Sequence, residues 1–130
     1  MNVELLCAGL LALLLFGLGF AVSIERGIAG KLGGVPDDEK TRLFRLIRAH
    51  GNAAEYAPAA IAFALYFSAT PRSTITQWLV IGITAARYIH AFALIMGADM
   101  GRFSLLRFVG GMGTYVTGVG LALTAIIAAT

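Results

Sequence analysis

The chain has 130 residues, 58% of them hydrophobic and only 13% charged, with a formal net charge of +3. Soluble domains are about a quarter charged, so this composition excludes an ordinary soluble domain and points to the membrane. At roughly 20 residues per span, the length accommodates about four membrane helices and leaves no room for a separate soluble domain.

Residues 5–24 carry no charge, enough to span the hydrocarbon core. The start, Met1-Asn2-Val3-Glu4, lacks a positive n-region, so a retained first helix over about 4–25 is expected rather than a cleaved signal. Gly27, Gly30, Gly33, Gly34 and Pro36 then mark a loop. Cys7, the one cysteine, lies in the first apolar run and reads as a buried free thiol. It allows neither an internal disulfide nor a Cys/His metal pattern.

Asp37 or Asp38 would cap a second helix over about 38–68, with acidic residues favourably placed at its N-terminus. This helix is longer than a bilayer needs, so its first two turns are expected among the headgroups. Pro58 inside it implies a kink or local distortion. A turn at Thr70-Pro71-Arg72-Ser73 leads to a third helix over about 73–96, apolar apart from Arg87 and His90. Trp78 near its start is a candidate interface anchor. After a loop at 97–102, a fourth helix over about 103–128 is uncharged from Phe108 onward. Gly110, Thr114, Gly118 and Ala122 recur every four residues, a small-residue ridge that lets another helix approach closely. The expected fold class is all-α integral membrane, a four-transmembrane-helix bundle in one domain covering 1–130.

Basic residues in such a protein report topology before they report nucleic acid, and no nucleic-acid partner is expected. The first loop and its flanks hold Arg26, Lys31, Lys40, Arg42, Arg45 and Arg48; the third holds Arg102 and Arg107; the second holds only Arg72. Loops one and three are therefore expected in the cytoplasm and both termini on the other side. Lys31, Lys40, Arg42 and Arg45 read as headgroup contacts and topology signals.

The second helix carries polar groups into its apolar half. At about 100° per residue, Arg48, Asn52, Glu55 and Tyr56 fall within roughly one third of the circumference, with Arg45 on the same side. Arg87 and His90, three apart, share a face of the third helix. Glu55 is a natural counter-ion for Arg87, because an unpaired charge in a bilayer is expensive. Arg48 and Asn52 then remain for an outside ligand. The set is cationic overall and suits a small anion with several carboxylates, which a guanidinium grips through paired hydrogen bonds. The alternative is that these groups only lock helices together. Gly30-Lys31-Leu32-Gly33-Gly34 lacks the spacing and the preceding strand of a phosphate loop. No nucleophile, base and orienter set of the hydrolase type can be assembled.

The segment Arg48-Ala-His-Gly-Asn52-Ala-Ala-Glu55-Tyr56-Ala-Pro58 closely resembles the second-helix signature of the MAPEG family, the membrane-associated proteins in eicosanoid and glutathione metabolism, in a bacterial form. Arg87-Tyr-Ile-His90-Ala, Leu106-Arg107-Phe108-Val109-Gly110 and Arg26 are similar to further family motifs, so the resemblance covers nearly the whole chain. It implies a homotrimer of four-helix bundles in the membrane, here a bacterial inner membrane. Glutathione would be a co-substrate bound between adjacent subunits near the cytoplasmic side. Arg48, Asn52, Glu55 and Tyr56 would hold its peptide, with Arg87 and His90 from the neighbouring third helix, and Arg26. Arg107, with Arg102 as runner-up, would stabilise the thiolate. The implied activity is a glutathione transferase of the microsomal type acting on hydrophobic electrophiles from the lipid, or peroxide reduction by the same thiolate. One departure stands out: eukaryotic members carry a tyrosine one turn after His90, where this chain has Leu94. A non-catalytic membrane binding or scaffold protein is the competing expectation. A small transporter is disfavoured by the short chain and the lack of an inverted repeat.

Overall fold

The computed structural model describes residues 1–71, 73–97 and 101–130; Arg72 of the second connection and residues 98–100 of the third lie outside them. Four helices follow one another: α1 (Val3–Ile28), α2 (Arg42–Ser68), α3 (Thr74–Met96) and α4 (Leu105–Ala128), with no strand among the described residues. Three of them, α1, α3 and α4, are long and apolar enough to cross a membrane. The second helix, although 27 residues long, does not meet that composition. Arg42, Arg45, Arg48 and Glu55 occupy its first half, so three of the four expected membrane helices are apolar enough by composition alone.

Local chemistry sets the helix ends. Asn2 caps α1, its side-chain oxygen accepting from Leu5 N at 3.0 Å, while its amide donates to Ser68 O at 3.3 Å and ties the N-terminus to the end of α2. The first helix runs three residues past the expected 25 and closes around Gly30, whose φ is 63°. Lys31 N donates to Arg26 O at 3.0 Å and Gly30 N to Gly27 O at 3.3 Å, the paired bonds of a Schellman motif. The second helix starts at Arg42, four residues later than the expected 38. Asp38 spends its side chain on Lys40 N (2.9 Å) and its carbonyl on both Thr41 N and Thr41 Oγ1, forming a turn; Thr41 takes the cap and accepts from Phe44 N at 3.2 Å. The helix then runs unbroken through Pro58. The fourth helix starts at Leu105, two residues later than the expected 103, with Ser104 as its cap.

The bundle pairs α1 with α2 and α3 with α4, and α2 also lies along α3. One end is apolar: Cys7, Leu11, Ala60, Ala64, Phe67, Val80, Ile83 and Leu121 form its core. Towards the other end, Leu18, Ala49, Ala53, Ala91 and Leu94 continue the packing, followed by Val22, Leu43 and Leu46. The alanines of α2 recur on the face that meets its neighbours, which lets helix backbones come close. The first and third connections share one end, joined by Arg45, which donates to Gly97 O (3.3 Å) and Lys40 O (3.1 Å). Arg42 and Glu25 form an ion pair at 3.6 Å between α2 and α1.

The small-residue ridge of α4 meets α3. A methyl at Gly110 would lie 2.7 Å from His90 N and Cβ, and one at Gly113 3.0 Å from Ala86 Cβ; reciprocally, one at Gly82 would meet Thr117 at 2.8 Å. Because the obstacle at Gly110 is backbone, it cannot swing aside. Gly110→Ala should destabilise the protein by about 1–3 kcal/mol, read as a lower thermal unfolding temperature in detergent. Gly9→Ala on α1, where a methyl meets nothing within 4 Å, should leave it unchanged or raise it.

Candidate functional site

The site is built on the side of α2 next to its packed alanine face, where Arg48, Gly51 and Glu55 stay exposed and Asn52 is half-buried. A cleft of about 560 Å³ opens at the end shared by the first and third connections. Arg48, Gly51, Asn52 and Glu55 form one wall, with Phe44 and Ile47 beside them; Leu94 of α3 and Arg107 of α4 form another, and Val35 and Glu39 of the first connection complete it. This size is ordinary for a small-molecule site, as are the mixed aliphatic and charged walls. The helical stripe expected from spacing is therefore real for Arg48, Asn52 and Glu55, and Arg107 joins them. Arg102 is exposed and does not line the cleft; its carbonyl accepts a hydrogen bond from Arg107 Nη2.

Arg87 lies behind this wall, only 1% exposed. Its Nη2 donates to the side-chain oxygen of Asn52 and, at 3.5 Å, to the Asn52 carbonyl; Nη1 donates to Thr114 Oγ1 at 3.1 Å. The guanidinium carbon stands 5.2 Å from the centre of the Tyr56 ring, a cation–π contact. The expected Glu55–Arg87 ion pair is absent; among the described residues the ion pair within 4 Å is Arg42–Glu25. Amide, hydroxyl and aromatic groups replace it, and Glu55 is left exposed on the cleft.

The Arg87 bond fixes the sense of Asn52. Its oxygen is taken, so the amide N–H groups are what it has left to offer a ligand. Tyr56 does not reach the cleft. It lines a second, apolar cavity of about 230 Å³ between α2, α3 and α4, with its hydroxyl 3.2 Å from that of Tyr115. His90 also stays outside the cleft, its Nδ1 lying 3.0 Å from Arg107 O. That contact fastens the backbone bearing Arg107 to α3. Arg26 does not line the cleft and keeps one terminal nitrogen buried without a partner.

Several wall residues were not singled out from the sequence. Phe44, Ile47 and Gly51 precede Arg48 and Glu55 by one helical turn or one residue, so helical spacing could have found them. Val35 and Glu39 sit in an irregular connection, where no periodicity exists to place them. Thr114 was assigned to packing only. Leu94, the position where a tyrosine was expected by analogy, does line the cleft and presents methyl groups there.

Loss of Arg87 removes two side-chain bonds and opens a void between three helices. Arg87→Ala should destabilise the fold by on the order of 2–4 kcal/mol, read by thermal unfolding. Arg87→Lys should not restore it, because one ammonium cannot reach Asn52 and Thr114 in the same planar fork.

The sequence profile of the MAPEG family matches residues 5–127 of the 130. No curated protein and no solved structure matches the chain. A match over nearly the whole length joins three apolar helices able to cross a bilayer to a polar cleft set at one end of the bundle. The chain is an integral membrane protein and belongs to the MAPEG family.

Proposed function

We propose that the cleft binds glutathione and that the protein is a membrane glutathione transferase. The observation that carries this reading is the wall on which Arg48, Asn52 and Glu55 face Arg107, in a chain whose family is one of glutathione-related membrane proteins. Arg48 grips a carboxylate, Asn52 donates its amide N–H groups to the peptide, and Glu55 takes the ammonium. Arg87 acts through Asn52, Tyr56 through Arg87, and His90 through the Arg107 backbone. Arg26, in the last turn of α1, adds positive charge at the same end of the bundle without lining the cleft.

Arg107 stabilises the thiolate. The thiolate, not the thiol, is the nucleophile, and a free thiol titrates near 8.5. A guanidinium within about 4–6 Å favours the charged form and lowers an acid's pKa by roughly 1–3 units. With Leu94 opposite, no hydroxyl competes for this role from that point of α3. The sulfur attacks an electrophilic carbon of a hydrophobic substrate drawn from the lipid, forming a C–S bond as the leaving group departs. Towards a peroxide, the same thiolate attacks an oxygen as the O–O bond breaks and an alcohol leaves, and a second glutathione then displaces water from the sulfenic acid to give the disulfide. A homotrimer belongs to this reading: Phe108, Met112, Tyr115 and Val116 of α4 are exposed on the single chain, and a second copy would cover such residues. In the membrane α2 becomes a fourth span, its charged half at the cytoplasmic face, with both termini opposite.

A second reading, a binding or scaffold protein without chemistry, is favoured by one observation, the hydrocarbon side chain of Leu94 on the cleft. Both readings require glutathione to bind. Millimolar glutathione should raise the unfolding temperature of the purified protein, and Arg48→Ala should remove that rise while leaving the unliganded stability within about 0.5 kcal/mol of wild type. No stabilisation of wild type would refute both.

A further inference from the structure

A short stretch of the first connection lies between two fixed points and packs on neither. Upstream, Lys31 N donates to Arg26 O at 3.0 Å and closes the end of α1. Downstream, Pro36 is buried, the Asp38–Thr41 turn is hydrogen-bonded, and Arg45 clasps both Lys40 O and Gly97 O. Between them, residues 32–35 make no hydrogen bond among the described residues and are exposed. Gly30 (φ 63°) and Gly34 (φ 75°) bracket the stretch in the left-handed region that glycine adopts without strain. A methyl added at Gly30, Gly33 or Gly34 would meet nothing within 4 Å. Leu32, between the two pivots, is 98% exposed, more than any other large hydrophobic side chain described. Burying it would be favourable, and an apolar surface is near. Val35, three residues on, lines the cleft, where Phe44, Ile47 and Leu94 supply hydrocarbon. Three residues of extended chain span about 10 Å, so Leu32 is within reach of that wall.

Segments with few contacts move at little cost, and a few residues at their ends absorb the change in φ and ψ. We propose that residues 31–34 are a strap that closes over the occupied cleft, pivoting at Gly30 and Gly34 and laying Leu32 on the apolar wall of Phe44, Ile47 and Leu94. This rests on the glutathione reading and adds to it the means by which the site is shut. Open, the strap admits the ligand from the aqueous face. Closed, it excludes water, which strengthens every charge interaction inside the cleft, that of Arg107 with the sulfur included. A ligand in the cleft favours closure because it completes the surface on which Leu32 rests. If Leu32 rests in the headgroup layer of the bilayer instead, its exposure does not respond to the ligand, and the two cases are separable.

The test uses S-methylglutathione, which has no free thiol, on the full-length protein in liposomes. Gly33→Cys places a thiol on the strap where a side chain has open space, and a polar maleimide labels it; wild type, whose one cysteine is buried, gives the blank. Binding is read separately, from thermal stabilisation against ligand concentration. At saturating ligand, labelling of Gly33→Cys should slow by about 5-fold or more, while Ala129→Cys, at the far end of α4, should label at an unchanged rate. Leu32→Ser should leave the unliganded unfolding temperature unchanged, because the side chain is almost wholly in solvent, and should weaken S-methylglutathione by about 3- to 10-fold. Leu32→Met should bind like wild type. Ligand binding without protection of Gly33→Cys overturns the strap, as does Leu32→Ser that binds like wild type. Equal slowing at Ala129→Cys overturns it too, since that reports a general tightening of the molecule. If S-methylglutathione does not stabilise wild type at all, the functional reading fails and the strap with it.

Discussion

The organisation of this protein depends on one buried cation. Arg87 sits between α2, α3 and α4, where water is absent and a guanidinium must be hydrogen-bonded by the protein itself. It is met by an amide, a hydroxyl and an aromatic face instead of a carboxylate. Neutral partners of this kind engage both terminal nitrogens, while Nε stays buried without a partner, and they add no second buried charge, which would carry its own desolvation cost. The consequence reaches the surface. Because Asn52 is held from behind, the stripe of α2 that includes Arg48 and Glu55 has a fixed polar sense where it meets the cleft.

The rest of the site follows from helix packing. Gly110 lets α4 approach the backbone of α3, and His90 bonds to the carbonyl of Arg107 one turn before that contact. The backbone of Arg107 is therefore placed by the same close approach that holds the two helices together. At the same end, Arg45 joins the first connection to the end of α3. Charged groups from α2, α4 and the first connection surround one volume, while Leu94 supplies hydrocarbon. The opposite end of the bundle has no comparable polar cleft among the described residues; its core is cysteine, alanine, leucine, phenylalanine, valine and isoleucine, with Glu4 buried in the first turn of α1.

Much of this was legible in the sequence because periodicity and hydropathy act over long segments. The apolar runs located α1, α3 and α4, and the helical spacing of Arg48, Asn52 and Glu55 placed them on one wall. What depended on single alternatives was harder. Asp37, Asp38 and Thr41 are all competent caps, and only the turn closed by Asp38 decides for Thr41. The partner of Arg87 was expected to be Glu55 on charge alone, yet the geometry brings Asn52 and Thr114 to it and leaves Glu55 on the cleft. The ridge of α4 was read correctly as a surface of close approach, but nothing in the pattern revealed that Thr114 would accept from Arg87. Glu39 lies in a connection with no repeat to betray its direction.

The central claim is that these groups hold glutathione with its sulfur beside Arg107 and keep that sulfur ionised. Ultraviolet absorbance of thiolate, followed by stopped flow as glutathione is mixed with the purified protein at neutral pH, tests it most directly. Wild type should show a rapid rise in thiolate with release of a proton, and Arg107→Ala should show the rise only at higher pH. Wild type that binds glutathione yet leaves its thiol protonated, or Arg107→Ala that behaves like wild type, would contradict the account.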